Sequence, residues 1–138
     1  MLSSKLTLII GPMFAGKSSE LLRRIRRHRI CGNTCLLIKY AKDNRYCDNA
    51  IATHDNDKIE AISCNELSEV EHEADNFDII GIDEGQFFTD IVNFSEGMAN
   101  KGKVVIVAAL NGTFERKSFG EVHKLLPLAE EIIKLTSI

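Results

Sequence analysis

Two short stretches of the chain carry residues whose types and spacing do chemistry. The first, Gly11-Pro12-Met13-Phe14-Ala15-Gly16-Lys17-Ser18, spells G-x-x-x-x-G-K-[ST]. Its glycines let backbone N–H groups close around phosphate oxygens, and a helix opening at this point adds positive potential. Lys17 then reaches the β- and γ-phosphates, Ser18 offers a hydroxyl to Mg²⁺, and Ser19 completes the candidate phosphate-binding set. The second stretch is Asp78-Ile79-Ile80-Gly81-Ile82-Asp83-Glu84-Gly85-Gln86-Phe87-Phe88, an apolar run that ends in two adjacent carboxylates. In open α/β sheets ligands bind beyond the carboxyl ends of the strands, so Asp83 is expected beside the metal and Glu84 beside the nucleophile. A carboxylate so placed accepts a proton from an attacking hydroxyl. These two stretches alone fit a kinase and a nucleoside triphosphate hydrolase equally.

For the groups to meet, the glycine turn has to follow a strand and open a helix, and the acids have to close a neighbouring strand of the same sheet. Three apolar runs read as strands, Leu6 to Ile10, Cys35 to Ile38 and Val104 to Leu110, with a fourth from Phe77 to Ile82 broken only by Asp78 and Gly81. They are near-continuous and rich in Ile, Val and Leu, the pattern of parallel strands covered on both faces. Between them Ser18 to Ile30 has helical period, with Leu21, Leu22, Ile25 and Arg29 on one stripe and Arg23, Arg24, Arg26 and Arg27 on the other side. Phe87 to Asn100 is a second helix, stopped by Gly102. Asp43 to Asn56 reads as a polar loop, Asn65 to Asn76 as an acidic surface segment, and the tail as a turn at Pro127 followed by a strand around Ile132 to Leu135. The expected fold class is α/β, a P-loop NTPase-like parallel sheet with helices on both faces.

At 138 residues the chain matches one nucleotide-binding domain spanning 1–138. With 44% apolar residues it can build a core without staples. A net charge of −3 and 27% charged residues exclude a disordered polyelectrolyte and a strongly basic nucleic-acid binder. The longest apolar run, Val104 to Leu110, holds seven residues, where a membrane span needs roughly 20. The N-terminus carries no small-residue cleavage site, which reads as an unprocessed cytoplasmic start. Cys31, Cys35, Cys47 and Cys64 contain no C-x-x-C pair and read as free, mostly buried thiols rather than a zinc site. The five arginines from Arg23 to Arg29 read as a solvated helix face or a subunit contact, not a nucleic-acid site.

Five ordered blocks add a family resemblance: Gly11 to Ser18, Ile38-Lys39-Tyr40-Ala41-Lys42-Asp43-Asn44-Arg45-Tyr46, Thr53-His54-Asp55, Gly81 to Phe88, and Val105 to Phe114. Together they resemble the cellular and poxviral type of thymidine kinase over essentially the whole chain. The resemblance implies an ATP-dependent transfer of the γ-phosphoryl group to the 5′-hydroxyl of thymidine. Under it Glu84 is the base, Asp83 and Ser18 hold Mg²⁺, and Asp43 and Arg45 lie near the metal and phosphates, Asp43 through water. A fixed guanidinium at Arg45 would neutralise charge on the transferring group, though a polar-loop arginine also reads as plain surface. The resemblance further implies that Met13, Phe87, Leu110, Phe114 and Phe119 wall the thymine pocket; core packing is the other reading of each aromatic. His54 reads as structural. A homotetramer and inhibition by dTTP are also implied.

The pattern departs from the family in several places. Full-length members continue into a cysteine-ligated zinc module and a lasso-like loop over the nucleoside, whereas this sequence stops at Ile138. No zinc is therefore expected, and nucleoside closure is incomplete. Asn111 stands where the family commonly shows Asp, Ser118 and Thr89 where it shows Pro, and Ser19 where it shows Thr. Two rival readings follow: a catalytically impaired module that binds ATP or dTTP, and a P-loop NTPase acting on nucleic acid through Arg23 to Arg29.

Overall fold

The computed structural model describes residues 4–42, 50–52, 58–110 and 121–136. Its strands follow the apolar runs: β1 (Lys5–Gly11), β2 (Cys35–Tyr40), β3 (Ala50–Ala52), β4 (Lys58–Cys64), β5 (Ile79–Ile82), β6 (Val104–Leu110) and β7 (Glu131–Lys134). Among the described residues they form one sheet in the order β3-β4-β2-β5-β6-β1-β7. Every adjacent pair is parallel except β3 with β4. The helices are α1 (Lys17–Ile30), α2 (Glu71–Ala74) and α3 (Ile91–Asn100). Helices cover both faces, so the expected α/β class holds. On one face Leu21 and Ile25 of α1 pack on Ile9, Leu37, Ile79 and Ile106. On the other, Ile91, Phe94 and Met98 of α3 join Leu67, Val70 and Val122 over Leu8, Ile38, Ile80 and Val107. Alternate residues of each strand thus supply opposite cores, which is why the runs are continuous rather than alternating.

Gly81 sets how closely α1 approaches the sheet. A Cβ there would lie 2.3 Å from Ile25 Cδ1 and 3.4 Å from Leu21 Cδ1. The bare glycine lets the helix sit down on β5, and that close seating carries the N-terminal turn of α1 toward the end of the same strand.

The structure corrects the sequence reading in several places. The acids do not close a strand next to β1: β6 lies between β5 and β1 and pairs with both. The short α3 connection makes β5 and β6 sheet neighbours, as sequential strands usually are. The polar stretch Asp43 to Asn56 contains β3, and β4 follows without having been anticipated. The second helix begins at Ile91, not Phe87, because residues Gly85–Phe87 form a separate 3-10 turn. The segment Asn65 to Asn76 is a 3-10 turn (Leu67–Val70) running into α2, and it buries Leu67, Val70 and Ala74 beneath its acidic face. Arg29, placed on the apolar stripe of α1, is exposed. Gly102 ends α3 with a φ of 90°, and the final strand lies where the tail predicted it.

Cys31, Cys35 and Cys64 are free; the first is exposed and the other two are buried. Burial pushes the Cys35 thiol up to about 11 and the Cys64 thiol up to about 12. Cys47 lies outside the described residues.

Candidate active site

Parallel register brings Gly11 beside Leu110 and Ile38 beside Ile82, so the C-terminal ends of β1, β2, β5 and β6 lie along one edge of the sheet. After β1 the chain makes the glycine turn. Phe14 (φ 64°) and Gly16 (φ 87°) both take left-handed backbone there. Gly16 stands at the N-cap of α1 and supplies no side-chain cap, so main-chain N–H groups open the helix. Such a start suits an anion. Lys17, largely buried, folds its ammonium back to donate to the Pro12 carbonyl at 2.7 Å, which closes the turn on itself.

After β5 come the acids. The Asp83 N–H continues the ladder to Ile38 O at 3.0 Å, and the Asp83 side chain is only 2% exposed. Its carboxylate accepts the Ser18 hydroxyl at 2.9 and 3.1 Å and the Glu84 N–H at 3.0 Å. The two motifs therefore meet directly, although a whole strand separates β5 from β1: α1 packs across β1, β6 and β5 and carries Ser18 over the gap. A hydroxyl and a carboxylate side by side are hard oxygen donors of the kind Mg²⁺ takes, one or two from protein with water and phosphate completing the shell. No group of three or more His, Cys, Asp or Glu suited to a metal exists among the described residues. The donor set thus fits a phosphate-associated Mg²⁺ and not a closed protein cage.

Glu84 has a φ of 55° and a ψ of 45°, left-handed backbone that costs a non-glycine residue on the order of 1–3 kcal/mol. Glu84 lines a cavity of about 280 Å³ together with Lys17, Ser18 and Ser19. Met13, Phe14, Phe87 and Leu110 give this cavity its apolar walls. Phe87 is 45% exposed and stacks on Tyr40 with ring centroids 5.0 Å apart, while Phe88 is fully buried and meets Tyr40 edge-on at 5.4 Å. Of the adjacent pair, only Phe87 is a wall; Phe88 belongs to the core.

Sequence-predicted residues thus gather in one place: Gly11 to Ser19 form the turn and helix start, Asp83 bonds Ser18, and Glu84, Phe87 and Leu110 border the same cavity. Asp43, Arg45, His54, Asn111, Phe114 and Phe119 lie outside the described residues. Three residues without an assigned role also belong to the neighbourhood. Tyr40 backs the Phe87 wall. Gln86 donates to Glu84 Oε2 at 2.6 Å. Lys39 is 2% exposed at the C-terminal end of β2. Its signal was a lysine in an otherwise apolar strand, since lysine is seldom fully buried without a partner.

The sequence profile of thymidine kinase matches residues 4–138. A cytosolic thymidine kinase of Gallus gallus is 54% identical over 134 residues, 97% of this chain and 60% of the relative. A thymidine kinase 1 of Dictyostelium discoideum is 52% identical over 141 aligned positions, 99% of this chain and 62% of the relative. The thymidine kinase of a sheeppox virus is 55% identical over 131 residues, 95% of this chain and 73% of the relative. The chain thus spans about three fifths of the first two relatives. Matched along nearly its whole length, with the phosphate turn and the acid pair in contact, the chain belongs to the thymidine kinase family.

Proposed function

We propose that the chain transfers the γ-phosphoryl group of ATP to the 5′-hydroxyl of thymidine, yielding the monophosphate for nucleoside salvage. The observation that carries this reading is the Ser18–Asp83 contact at 2.9 Å beside a cavity shared by Lys17 and Glu84. It supports reading the glycine turn as the phosphate site, Ser18 and Asp83 as the metal donors and Glu84 as the base of one site.

The backbone from Gly11 to Gly16 and the Lys17 ammonium bind the polyphosphate, with Ser19 at the rim. Ser18 and Asp83 hold Mg²⁺, with Asp43 near it through water. When bound there, Mg²⁺ neutralises charge on the β- and γ-phosphate oxygens. Glu84 accepts the proton of the 5′-hydroxyl as that oxygen attacks phosphorus. Arg45 balances the negative charge spread over the transferring group. Met13, Phe87, Leu110, Phe114 and Phe119 enclose the base, a flat and mostly apolar ligand that aromatic and thioether walls suit.

Relatives named as cytosolic support a cytoplasmic location, and among the described residues no helix is long and apolar enough to cross a membrane. The family supports a homotetramer and feedback by dTTP as further parts of the same proposal. Nucleic acid is not a proposed partner, since Glu20 takes up two of the arginines of α1, Arg23 and Arg24. No bound zinc is proposed for this chain.

The test is Glu84→Gln assayed for transfer of labelled phosphate to thymidine. The expected result is retained ATP binding with turnover down by at least about 10²-fold, or ~2.7 kcal/mol of transition-state stabilisation. Unchanged turnover would refute the role of Glu84. ATP binding by the parent chain without any transfer would leave a nucleotide-binding module in place of an enzyme.

A further inference from the structure

We propose that Gln86 is a positioning residue, fastening the carboxylate of Glu84 to the end of β6. The inference rests on the reading of Glu84 as the base. Gln86 lies in the 3-10 turn Gly85–Phe87, is 4% exposed, and has hydrogen bonds at both ends of its amide. Its Oε1 accepts the Leu110 N–H at 3.1 Å, and its Nε2 donates to Glu84 Oε2 at 2.6 Å.

The Leu110 contact decides which end of the amide is which. A backbone N–H only donates, so the atom facing it has to be the carbonyl oxygen; the NH₂ group then has no orientation left except toward Glu84. A donor is what a carboxylate wants, and with the charge on the acceptor this is the stronger kind of hydrogen bond. Burial raises the stakes, because the amide is satisfied only while both partners keep their places.

Position matters here more than charge. A glutamate side chain has three rotors, and this one leaves a backbone already in the left-handed region. A base displaced by about 1 Å loses on the order of 10²-fold in rate. Gln86 holds one carboxylate oxygen at a set distance from Leu110, which is itself a wall of the cavity. The candidate base and the apolar wall are thereby referenced to one another through a single side chain. Asp83, bonded to the Glu84 N–H at 3.0 Å, holds the backbone end of the same residue. Glu84 is thus anchored at its backbone by Asp83 and at its carboxylate by Gln86.

A purely structural role would be to satisfy the Leu110 N–H, and one substitution separates the two. In Gln86→Glu the new carboxylate still accepts from Leu110 but offers Glu84 no donor and a like charge. The experiment measures kcat and both KM values for the parent, Gln86→Glu, Glu84→Gln and the double variant, with melting shifts on adding a non-hydrolysable ATP analogue. Expected for Gln86→Glu is an ATP-analogue shift like that of the parent, KM for ATP within about twofold, and kcat lower by on the order of tenfold or more. In the Glu84→Gln background the same substitution is expected to change kcat by less than about twofold, since the group it acts through has gone.

Parental kcat in Gln86→Glu, alongside a strong loss in Glu84→Gln, overturns the inference and leaves the base reading intact. Equal falls in both backgrounds overturn it as well, because a structural defect does not need Glu84. An unchanged kcat in Glu84→Gln alone removes the base, and the inference with it. If Gln86→Glu does not fold, Gln86→Met, which removes the donor to Glu84 and the acceptor for Leu110 together, is compared in both backgrounds: a fall in kcat that vanishes in the Glu84→Gln background supports the inference, and an equal fall in both overturns it.

Discussion

The turn after β1 and the turn after β5 face one cavity, and each contains a non-glycine residue in left-handed backbone, Phe14 and Glu84. They are held by opposite means. The β1 turn is a main-chain construction: Phe14 is 94% exposed, and a Cβ on Gly16 would meet nothing within 4 Å, so the requirement there is a φ of 87° and not space. The β5 turn is a side-chain construction. Gly85 has no positive φ, yet a Cβ on it would lie 2.6 Å from Val107 Cγ1, and Asp83 and Gln86 on either side are buried and hydrogen-bonded. The difference suits the tasks proposed for the two turns. Phosphate oxygens are bound by peptide N–H groups, which a permissive backbone presents; a base has to stand at one distance from one hydroxyl, which only packing secures.

If that contrast is right, the two glycines respond to substitution by different rules. Substitution of Gly85 is expected to have the largest effect on stability, about 1–3 kcal/mol already for Gly85→Ala, because Val107 is β-branched and held within the core. Gly85→Asn, which is larger, should cost more. Gly16→Ala comes next at about 1–2 kcal/mol, the cost of left-handed backbone for an L-residue. Here the order reverses: Gly16→Asn should be milder than Gly16→Ala, since asparagine tolerates that region. Urea denaturation midpoints of the four variants check both orders. A common ranking of Ala and Asn at the two positions would erase the distinction between a conformational and a steric turn.

The same distinction explains which parts could be read in the sequence. A main-chain requirement is written locally, as Gly16 before Lys17 and Ser18, and it was legible. The role of Gln86 was not, because its other partner, Leu110, stands 24 residues away on a different strand. Strand existence was legible for β1, β2, β5, β6 and β7, whose apolar runs are bounded by turn residues. Their order was not, and β6 turned out to separate the cradle from the acids. β4 (Lys58–Cys64) mixes Lys58, Glu60 and Ser63 with its apolar residues and is set by its pairing with β2, while β3, three residues long in a polar stretch, is set by its pairing with β4. Asp90 is a further case of a role set by distant partners. Its type and place suit the cap of α3, yet its carboxylate accepts the Leu67 and Ser68 N–H groups at 3.1 and 2.9 Å and so caps the neighbouring 3-10 turn.

The smallest expected effect concerns how the cradle helix is tied down at its outer side. Glu20, in the first turn of α1, binds Arg23 at 2.5 Å and Arg24 at 2.8 Å, and Arg24 reaches Glu131 of β7 at 3.2 Å. Hydrogen bonding from Arg23, reinforced by Arg24, lowers the Glu20 carboxyl from 4.5 to about 2 despite some opposing burial. A carboxylate held below its unfolded value binds fewer protons in the folded chain than in the unfolded one. Its contribution is therefore whole above pH 4.5 and disappears as the pH falls toward 2. For partly exposed pairs that contribution is about 1 kcal/mol or less. The stability difference between the parent and Glu20→Gln should accordingly be flat near neutrality and shrink through the acid range, and added salt should reduce it. The Gly85→Ala penalty arises from a steric contact with Val107, so it should be as large in high salt as in low. A salt-sensitive penalty at Gly85, or a Glu20 difference that survives at pH 2, would mean that the two turns do not rely on separate kinds of support.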